Sequence, residues 1–289
     1  RMGVTVRRVN EVTPAELEGA VTDRTRLVFA ETISNPRLGV LDVPAIAAWC
    51  HERRLPLVVD NTVASPYLCR PLELGADIVV ESTSKYVNGG GNAISGIIVD
   101  SGRFSWDAER YPALAKWRKM GPFALLARLR NGLWRDTGAC LAPWTAFLNC
   151  VGLETLDVRM ERACDNALRL ATWLCDSGLV SEVGYPGLPD APDHELAARQ
   201  FGGRYGALMT FRAGSRERAF KFVNSVRYAY RASNIGDVKT LVLHPDSTIF
   251  ADNTPDERML AGVFEDSIRV SVGIEDAGDL IEDFRQALS

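Results

Sequence analysis

Short apolar runs rich in β-branched residues recur along the first third of the chain and alternate with helix-like segments. These runs occupy residues 4–7, 26–29, 57–59, 78–80 and 97–99. Residues 45–54 precede one of the runs and carry apolar side chains at helical spacing through Ile46, Trp49 and Cys50. Such alternation is typical of parallel strands that are covered by helices. We therefore predict an α/β fold built on a mostly parallel sheet.

The rest of the sequence predicts a smaller second domain. A helix from residue 152 to about residue 175 has mostly apolar positions at helical spacing, which suits packing between domains. Around it we predict loops with a short helix at 103–122, helices at 123–135, 216–224 and 276–288, and strands at 207–212 and 240–244. We place a large domain at 1–145 and a small α+β domain at 146–289.

The composition excludes several classes of function. Of the 289 residues, 46% are hydrophobic and 24% are charged, and the formal net charge is -4. This charge gives no general attraction for nucleic acid or anionic lipid, and no apolar run is long enough to span a bilayer. The six cysteines form no CxxC pair and only three histidines are present, which argues against a metal site and a disulfide framework. We expect a cytoplasmic protein with reduced cysteines.

Two polar residues follow consecutive predicted strands. Asp60 comes directly after the run at 57–59, and Lys85 lies in the loop after the run at 78–80. Ligands bind beyond the carboxyl ends of strands in open α/β sheets, so we expect both side chains in one crevice. A partly desolvated lysine forms a Schiff base with a carbonyl, and a carboxylate keeps a pyridine nitrogen protonated. The pair predicts a pyridoxal 5'-phosphate (PLP) site, with hydroxyls for the phosphate from Ser82 and Ser84.

The residues of this loop also fit other interpretations. Lys85 by itself also fits a solvated surface lysine, since most lysines are exposed. Residues 82–85 fit the SxxK pattern of penicillin-binding enzymes, but that motif begins a helix, and here a strand leads into it. Residues 89–96 are rich in glycine but lack the spacing of nucleotide-binding loops and precede a strand.

Residues 58–62 (Val-Val-Asp-Asn-Thr) and 82–86 (Ser-Thr-Ser-Lys-Tyr) together resemble motifs of the Cys/Met metabolism, or trans-sulfuration, group of PLP-dependent enzymes. The resemblance extends along the whole chain. It implies the PLP-dependent transferase fold, which is aspartate aminotransferase-like and called fold type I. It also implies a homotetramer assembled from dimers that share active sites at subunit contacts.

The resemblance also implies roles for further residues. Thr62 would lie beside the pyridine-binding Asp60, and Asn35, in a stretch similar to Glu-Ser-x-x-Asn-Pro, would approach the phenolic oxygen of the cofactor. Arg269 would bind the α-carboxylate of an amino-acid substrate, and Asn234 would be a second contact to it. Without the resemblance, the Asn-Pro pair fits an ordinary turn and Arg269 fits an exposed residue on an edge strand.

Residues 96–104, 135–138 and 234–241 are similar to O-acetylhomoserine sulfhydrylases. The implied reaction is γ-replacement on an O-acylhomoserine by sulfide or a thiol, giving homocysteine or methionine. Methionine γ-lyase and cystathionine synthase or lyase are alternatives, and Gly90 and Phe250 stand where many members have histidines near the substrate. The family's amino-terminal segment, with its glycine turn and stacking aromatic residue, is missing from this sequence. A truncated relative without catalytic activity is therefore a further alternative.

Overall fold

The computed structural model describes residues 3–289, which form two β-sheets flanked by helices. The first sheet contains, in spatial order, β1 (Val28–Glu31), β2 (Leu57–Asp60), β3 (Ile78–Glu81) and β4 (Ile97–Asp100). The first three strands are parallel, and β4 is antiparallel to β3. The predicted α/β class with a mostly parallel sheet is therefore confirmed. The strand predicted at residues 26–29 corresponds to β1. It begins two residues later than predicted, at Val28, whose backbone N–H donates to the Pro56 carbonyl (3.1 Å).

Helices cover this sheet where polar caps and prolines begin them. They are α1 (Pro14–Ala20), α2 (Val43–Glu52) and α3 (Ser65–Leu68). The side chains of Thr13 and Asp42 accept backbone N–H groups at the starts of α1 and α2. Because Asp42 caps the helix and Pro44 suits its first turn, α2 starts two residues before the predicted position.

The strand predicted at residues 4–7 is wrong. No strand pairs with this segment within residues 3–289, and the side chains of Val4 and Val6 remain 78% and 75% exposed. An alternating sequence becomes a strand only when a neighbour satisfies its backbone and covers its apolar face. The described part of the chain supplies no such neighbour.

The connection between the sheets is helical for much of its length. It contains a 3-10 helix (Pro112–Phe123), α4 (Ala124–Leu129), a π-helical turn (Arg130–Trp134), α5 (Arg135–Thr137), α6 (Pro143–Leu153) and α7 (Leu156–Ser177). This confirms the predicted helix at 123–135, apart from its π turn. The helix predicted from residue 152 begins at Leu156 instead, because Thr155 leaves the helical conformation (φ -123°) and separates α6 from α7.

The second sheet has the spatial order β5-β6-β9-β8-β7. Its strands are β5 (Glu182–Gly184), β6 (Leu208–Arg212), β7 (Tyr230–Arg231), β8 (Leu241–Leu243) and β9 (Ser267–Ser271), and its helices are α8 (His194–Phe201), α9 (Arg216–Ser225), α10 (Pro255–Leu260) and α11 (Ala277–Leu288). The strands and helices predicted in this half are all present with small shifts at their ends. Phe211, Phe222 and Phe284 fill the core between the sheet and its helices, α9 and α11.

A shared hydrophobic cluster joins the two sheets. Ile33 from the loop after β1 packs in one cluster with Met160 of α7, Leu208 of β6 and Ile235. This packing brings the carboxyl edge of the first sheet next to the second sheet. The predicted domain boundary at residue 145 falls inside α6 and stays a prediction. In the described part of the chain, no helix combines the length and the apolar character that crossing a membrane requires.

Candidate active site

Three acidic residues end the parallel strands of the first sheet on one edge. Glu31 ends β1 and is the register partner of Asp60 at the end of β2, and Glu81 ends β3. Burial raises the pKa of Glu31, a hydrogen bond from the Asn35 backbone opposes that change, and Asp60 raises it further. Burial likewise raises the pKa of Glu81 to about 7. The edge where the ligand crevice was predicted therefore carries three carboxyl groups, of which those of Asp60 and Glu81 are partly buried.

A chain of hydrogen bonds links Asp60 to the loop after β3. One carboxylate oxygen of Asp60 accepts the Thr62 backbone N–H at 2.9 Å. The Thr62 hydroxyl in turn accepts the Ser82 backbone N–H at 2.8 Å. Thr62 therefore fixes both the orientation of the Asp60 carboxylate and the start of the loop that carries Lys85.

The two predicted phosphate-binding serines differ in their surroundings. The Ser84 hydroxyl donates to the Ser95 carbonyl (3.1 Å) and accepts the Ser95 backbone N–H (2.8 Å). Ser95 is held in addition by Thr83 (2.6 Å) and by Asn149 of α6 (2.9 Å). Within residues 3–289 the Ser82 hydroxyl forms no hydrogen bond, so Ser82 is the serine whose hydroxyl is available. The phosphate role of both residues stays a prediction.

Lys85 is partly buried and contacts a residue of the second sheet's loops. Its ammonium group donates a hydrogen bond to the side-chain oxygen of Asn234. Burial lowers the pKa of the Lys85 amine, and the positive charge of Arg269 lowers it further. An amine in such surroundings is neutral in a larger fraction of molecules, and the neutral amine is the form that reacts with carbonyls and accepts protons. The interpretation of Lys85 as a solvated surface lysine is therefore not supported.

Arg269 is only 3% exposed and lies on β9, between β6 and β8. The alternative of an exposed arginine on an edge strand is therefore wrong. One Nη donates to the side-chain oxygen of Asn35 at 3.2 Å, and the other donates to the carbonyls of Ser233 (2.9 Å) and Asn234 (3.2 Å). Within residues 3–289 its buried Nε has no hydrogen-bond partner. Burial lowers the pKa of Arg269 to about 10.

The contacts of Arg269 suit an anion that comes from outside the chain. Within residues 3–289, no carboxylate forms an ion pair with Arg269, and its protein partners are neutral oxygens. A buried guanidinium without a counter-ion is unfavourable, and a bound carboxylate or similar anion would neutralise its charge. The structure thus brings Lys85, Asn234, Arg269 and Asn35 into one connected group next to the Asp60–Thr62–Ser82 chain.

Glu31 and Arg159 were not predicted as site residues, but each positions a loop of the site. Glu31 accepts the Asn35 backbone N–H at 3.1 Å and so orients the loop that presents Asn35 to Arg269. Arg159 of α7 donates to the carbonyls of Tyr86 (2.7 Å) and Val87 (3.3 Å), directly after Lys85. Glu31 is the first residue of the stretch similar to Glu-Ser-x-x-Asn-Pro, whereas no local pattern distinguishes Arg159 from the other arginines of its helix.

The remaining sequence observations concern the substrate side and metals. Gly90 lies in the turn after Lys85, where its backbone N–H donates to Asn88 at 3.1 Å, and the Phe250 carbonyl accepts a bond from Arg258 at 3.0 Å. Neither contact involves the residues discussed above. No group of three or more His, Cys, Asp or Glu side chains within residues 3–289 is placed to hold a metal ion.

Comparison with known proteins identifies the group to which this geometry belongs. The family described as Cys/Met metabolism PLP-dependent enzyme matches residues 1–289. Homocysteine synthase of Schizosaccharomyces pombe is 39% identical to the chain over 100% of the chain and 70% of its own length. O-acetyl-L-homoserine sulfhydrylase 1 of Thermus thermophilus is 37% identical, with coverage of 100% of the chain and 72% of the relative.

Solved structures agree with the sequence relatives. A putative O-acetylhomoserine (thiol)-lyase from Campylobacter jejuni, whose structure contains N'-pyridoxyl-lysine-5'-monophosphate, superposes with a TM-score of 0.89 at 32% identity. That match covers 95% of this chain and 68% of the other. An O-acetylhomoserine sulfhydrylase from Wolinella succinogenes superposes with a TM-score of 0.83 at 39% identity, with coverage of 96% and 75%. These neighbours share the fold type I architecture that the sequence implied.

Proposed function

The chain belongs to the Cys/Met metabolism PLP-dependent enzymes, and from that membership we propose that it catalyses γ-replacement on an O-acylhomoserine. Sulfide or a thiol would replace the acyl group and give homocysteine or methionine. The observation that carries this proposal is the buried Arg269, which has no carboxylate partner within the described residues and lies close enough to Lys85 to lower the pKa of its amine. This pair suits a substrate that is itself an amino acid.

The residues of the site fit PLP. One oxygen of Asp60 is fixed by the Thr62 backbone, so the carboxylate is oriented to pair with a protonated pyridine nitrogen. Lys85 supplies an amine with a lowered pKa for attachment of the cofactor, and the free Ser82 hydroxyl, together with Ser84, would contact its phosphate. When bound, PLP supplies an electron sink for negative charge at the α-carbon of the substrate.

Arg269 and Asn234 would hold the substrate. A guanidinium pairs with a carboxylate through parallel hydrogen bonds, so Arg269 fixes the α-carboxylate and with it the direction of the Cα–H bond. The Asn35 side chain and the carbonyls of Ser233 and Asn234 hold the guanidinium in place for this contact. This arrangement supports a bound substrate whose reacting carbon lies next to the lysine.

Lys85 would move protons at the α- and β-carbons. Its neutral amine accepts the proton from Cα, and its protonated form returns a proton to a carbon of the substrate. The Asn234 side-chain oxygen accepts a hydrogen bond from the amine and fixes its position without adding charge. A neutral partner keeps the amine pKa low, whereas a carboxylate there would raise it.

The test compares two reactions in the wild type and in two lysine variants. With PLP present, we expect homocysteine from O-acetylhomoserine and sulfide, and little α-ketobutyrate from methionine. Lys85→Ala should lose both the product and the visible absorbance of bound cofactor, whereas Lys221→Ala, which changes an exposed lysine of α9, should keep both.

Each other result has a defined meaning. Faster release of α-ketobutyrate from methionine than sulfide addition would favour a methionine γ-lyase. Cofactor absorbance that persists in Lys85→Ala would refute the assignment of Lys85. Absence of cofactor absorbance in the wild type would favour the non-catalytic relative.

We also propose a homotetrameric assembly and a cytoplasmic location. Trp144, Phe147 and Val151 follow helical spacing on α6 and are 68%, 54% and 45% exposed, which is unusual for large apolar side chains and suits a contact between subunits. All six cysteines are free thiols, as is common in a reducing compartment. Light scattering after gel filtration tests the assembly, and a Trp144→Glu variant should shift it towards smaller species.

A further inference from the structure

A cavity of about 790 Å³ lies at the edge of the first sheet opposite to Lys85. Asp77, which directly precedes β3, lies in its wall, whereas Lys85 follows the other end of that strand. A strand of this length separates the two places by about 13 Å. The volume is within the range of pockets that bind small molecules. The cavity is therefore separate from the candidate active site.

Positive charge dominates the lining of this cavity. Four arginines line it, namely Arg54, Arg103, Arg110 and Arg118. Within residues 3–289, none of these four forms an ion pair with a carboxylate. Unpaired guanidinium groups that converge on one concave surface repel one another, and an anion between them removes that repulsion.

The carboxylates of the same lining are engaged elsewhere. Asp77 contacts the His51 ring nitrogen at 3.0 Å, and Glu73 pairs with Arg70 at 3.4 Å. Asp107 accepts a backbone N–H from the residue two positions further along the chain at 2.9 Å. The negative groups of the lining thus have other partners and, among the described residues, form no ion pair with the four arginines.

The hydrogen bonds of Arg110 provide evidence that is independent of the positive charge of the lining. Its two Nη atoms are bound to the carbonyls of Arg53 (2.8 Å) and Thr25 (3.1 Å), which fix the guanidinium in place. Its buried Nε–H has no partner within the described residues. Buried donors are nearly always hydrogen-bonded, so this N–H indicates an acceptor that the protein itself does not provide.

We propose that this cavity binds a multiply charged oxyanion of metabolite size, with phosphate or carboxylate groups contacting the arginines. The planar guanidinium matches both kinds of group through paired hydrogen bonds. Phe104 and Tyr111 also line the cavity and supply an apolar wall for the carbon part of such a ligand. The Tyr111 hydroxyl is bound to the Arg54 carbonyl at 3.2 Å, which fixes this wall next to one of the arginines.

The test is calorimetric titration of the full chain saturated with PLP, which occupies phosphate-binding groups near Lys85. Inorganic pyrophosphate and citrate are the two probes, and they separate phosphate from carboxylate recognition. The variant R54Q/R118Q removes two charges from the cavity, and neither side chain forms a hydrogen bond within residues 3–289. The control K221Q/R227Q removes two exposed charges elsewhere. Thermal unfolding checks that both variants fold like the wild type.

We expect at least one probe to bind the wild type and the control alike, and to bind R54Q/R118Q at least about tenfold more weakly. Binding of pyrophosphate alone would assign a phosphate-bearing ligand, and binding of citrate alone would assign a polycarboxylate. No measurable binding of either probe to the wild type at millimolar concentration would overturn the proposal. Equal loss of binding in both double variants would also overturn it, because general charge would then explain the binding.

Discussion

Arg159 holds the loop that carries Lys85, and its replacement tests how that loop is positioned. The guanidinium donates to the carbonyls of Tyr86 (2.7 Å), Val87 (3.3 Å) and Gly152 (2.6 Å). A methionine at this position keeps most of the apolar stem but removes every one of these donors. We therefore expect Arg159→Met to weaken both the fold and the binding of PLP.

The magnitude follows from the three carbonyl contacts. A hydrogen bond from a charged donor contributes about 1.5–3 kcal/mol where it is buried. Arg159 is only partly buried, and its three bonds act as a unit, so we expect a loss of about 3 kcal/mol in the free energy of unfolding. Because Tyr86 and Val87 follow Lys85 directly, we also expect the affinity for PLP to fall by about tenfold or more.

The assay is equilibrium urea unfolding, together with titration of PLP followed by visible absorbance. Arg169→Met is the matched control, since Arg169 lies on the same helix and its only ion pair among the described residues, with Asp165 at 3.8 Å, is exposed. That control should lose no more than about 0.5 kcal/mol. If the two variants unfold within about 1 kcal/mol of each other and bind PLP equally well, Arg159 does not position the loop.

Three further substitutions test other parts of the site. The pKa of the Glu81 carboxyl is raised to about 7 in the folded state. Between pH 4.5 and pH 7 the folded protein therefore binds more protons than the unfolded chain, and its stability falls as the pH rises through that window. Glu81→Gln should remove up to about 3 kcal/mol of this pH dependence, as measured by urea unfolding at pH 5 and pH 8. A Cβ on Gly236 (φ 74°) would lie 2.5 Å from a backbone nitrogen of the loop that carries Lys85. Gly178→Ala is the control: its φ of 64° gives the same backbone strain of about 1 kcal/mol, but its added Cβ has no atom within 4 Å. We therefore expect Gly236→Ala to destabilise the protein much more than Gly178→Ala, as measured by thermal unfolding. Asn234→Asp places a carboxylate next to the Lys85 amine and raises the pKa of that amine. We therefore expect the acid limb of the pH profile of kcat to move to higher pH by about one unit. An unchanged profile would show that Asn234 does not set the basicity of Lys85.

Local sequence was sufficient to predict the first sheet and the positions of Asp60 and Lys85 at its carboxyl edge. β2 and β3 are short apolar runs that end in polar residues, so both the strands and the positions of Asp60 and Lys85 follow from hydrophobic pattern and sheet geometry. The same pattern failed at residues 4–7, where the alternation of polar and apolar residues is present but no partner strand accompanies it among the described residues. Whether a segment forms a strand depends on a neighbouring strand as well as on its own sequence.

The contacts that complete the site could not be predicted from local sequence. The bond between Arg269 and Asn35 spans 234 residues, and the bond between Lys85 and Asn234 spans 149. Arg159 was missed for the same reason, since its partners Tyr86 and Val87 lie 73 and 72 residues away. Such contacts depend on how the two sheets pack, and the residue types alone fit many exposed positions equally well.

These separations also determine how the site depends on folding. Asp60, Thr62, Ser82 and Lys85 come from the first sheet, whereas Asn234 and Arg269 come from the second. The two groups meet only when the shared cluster around Met160 of α7 is packed. If that packing opens while both sheets stay intact, Arg269 regains water and the Lys85 amine loses the two causes of its lowered pKa, its burial and the nearby charge of Arg269. The reactivity of Lys85 is therefore a property of the packed sheets rather than of its own loop.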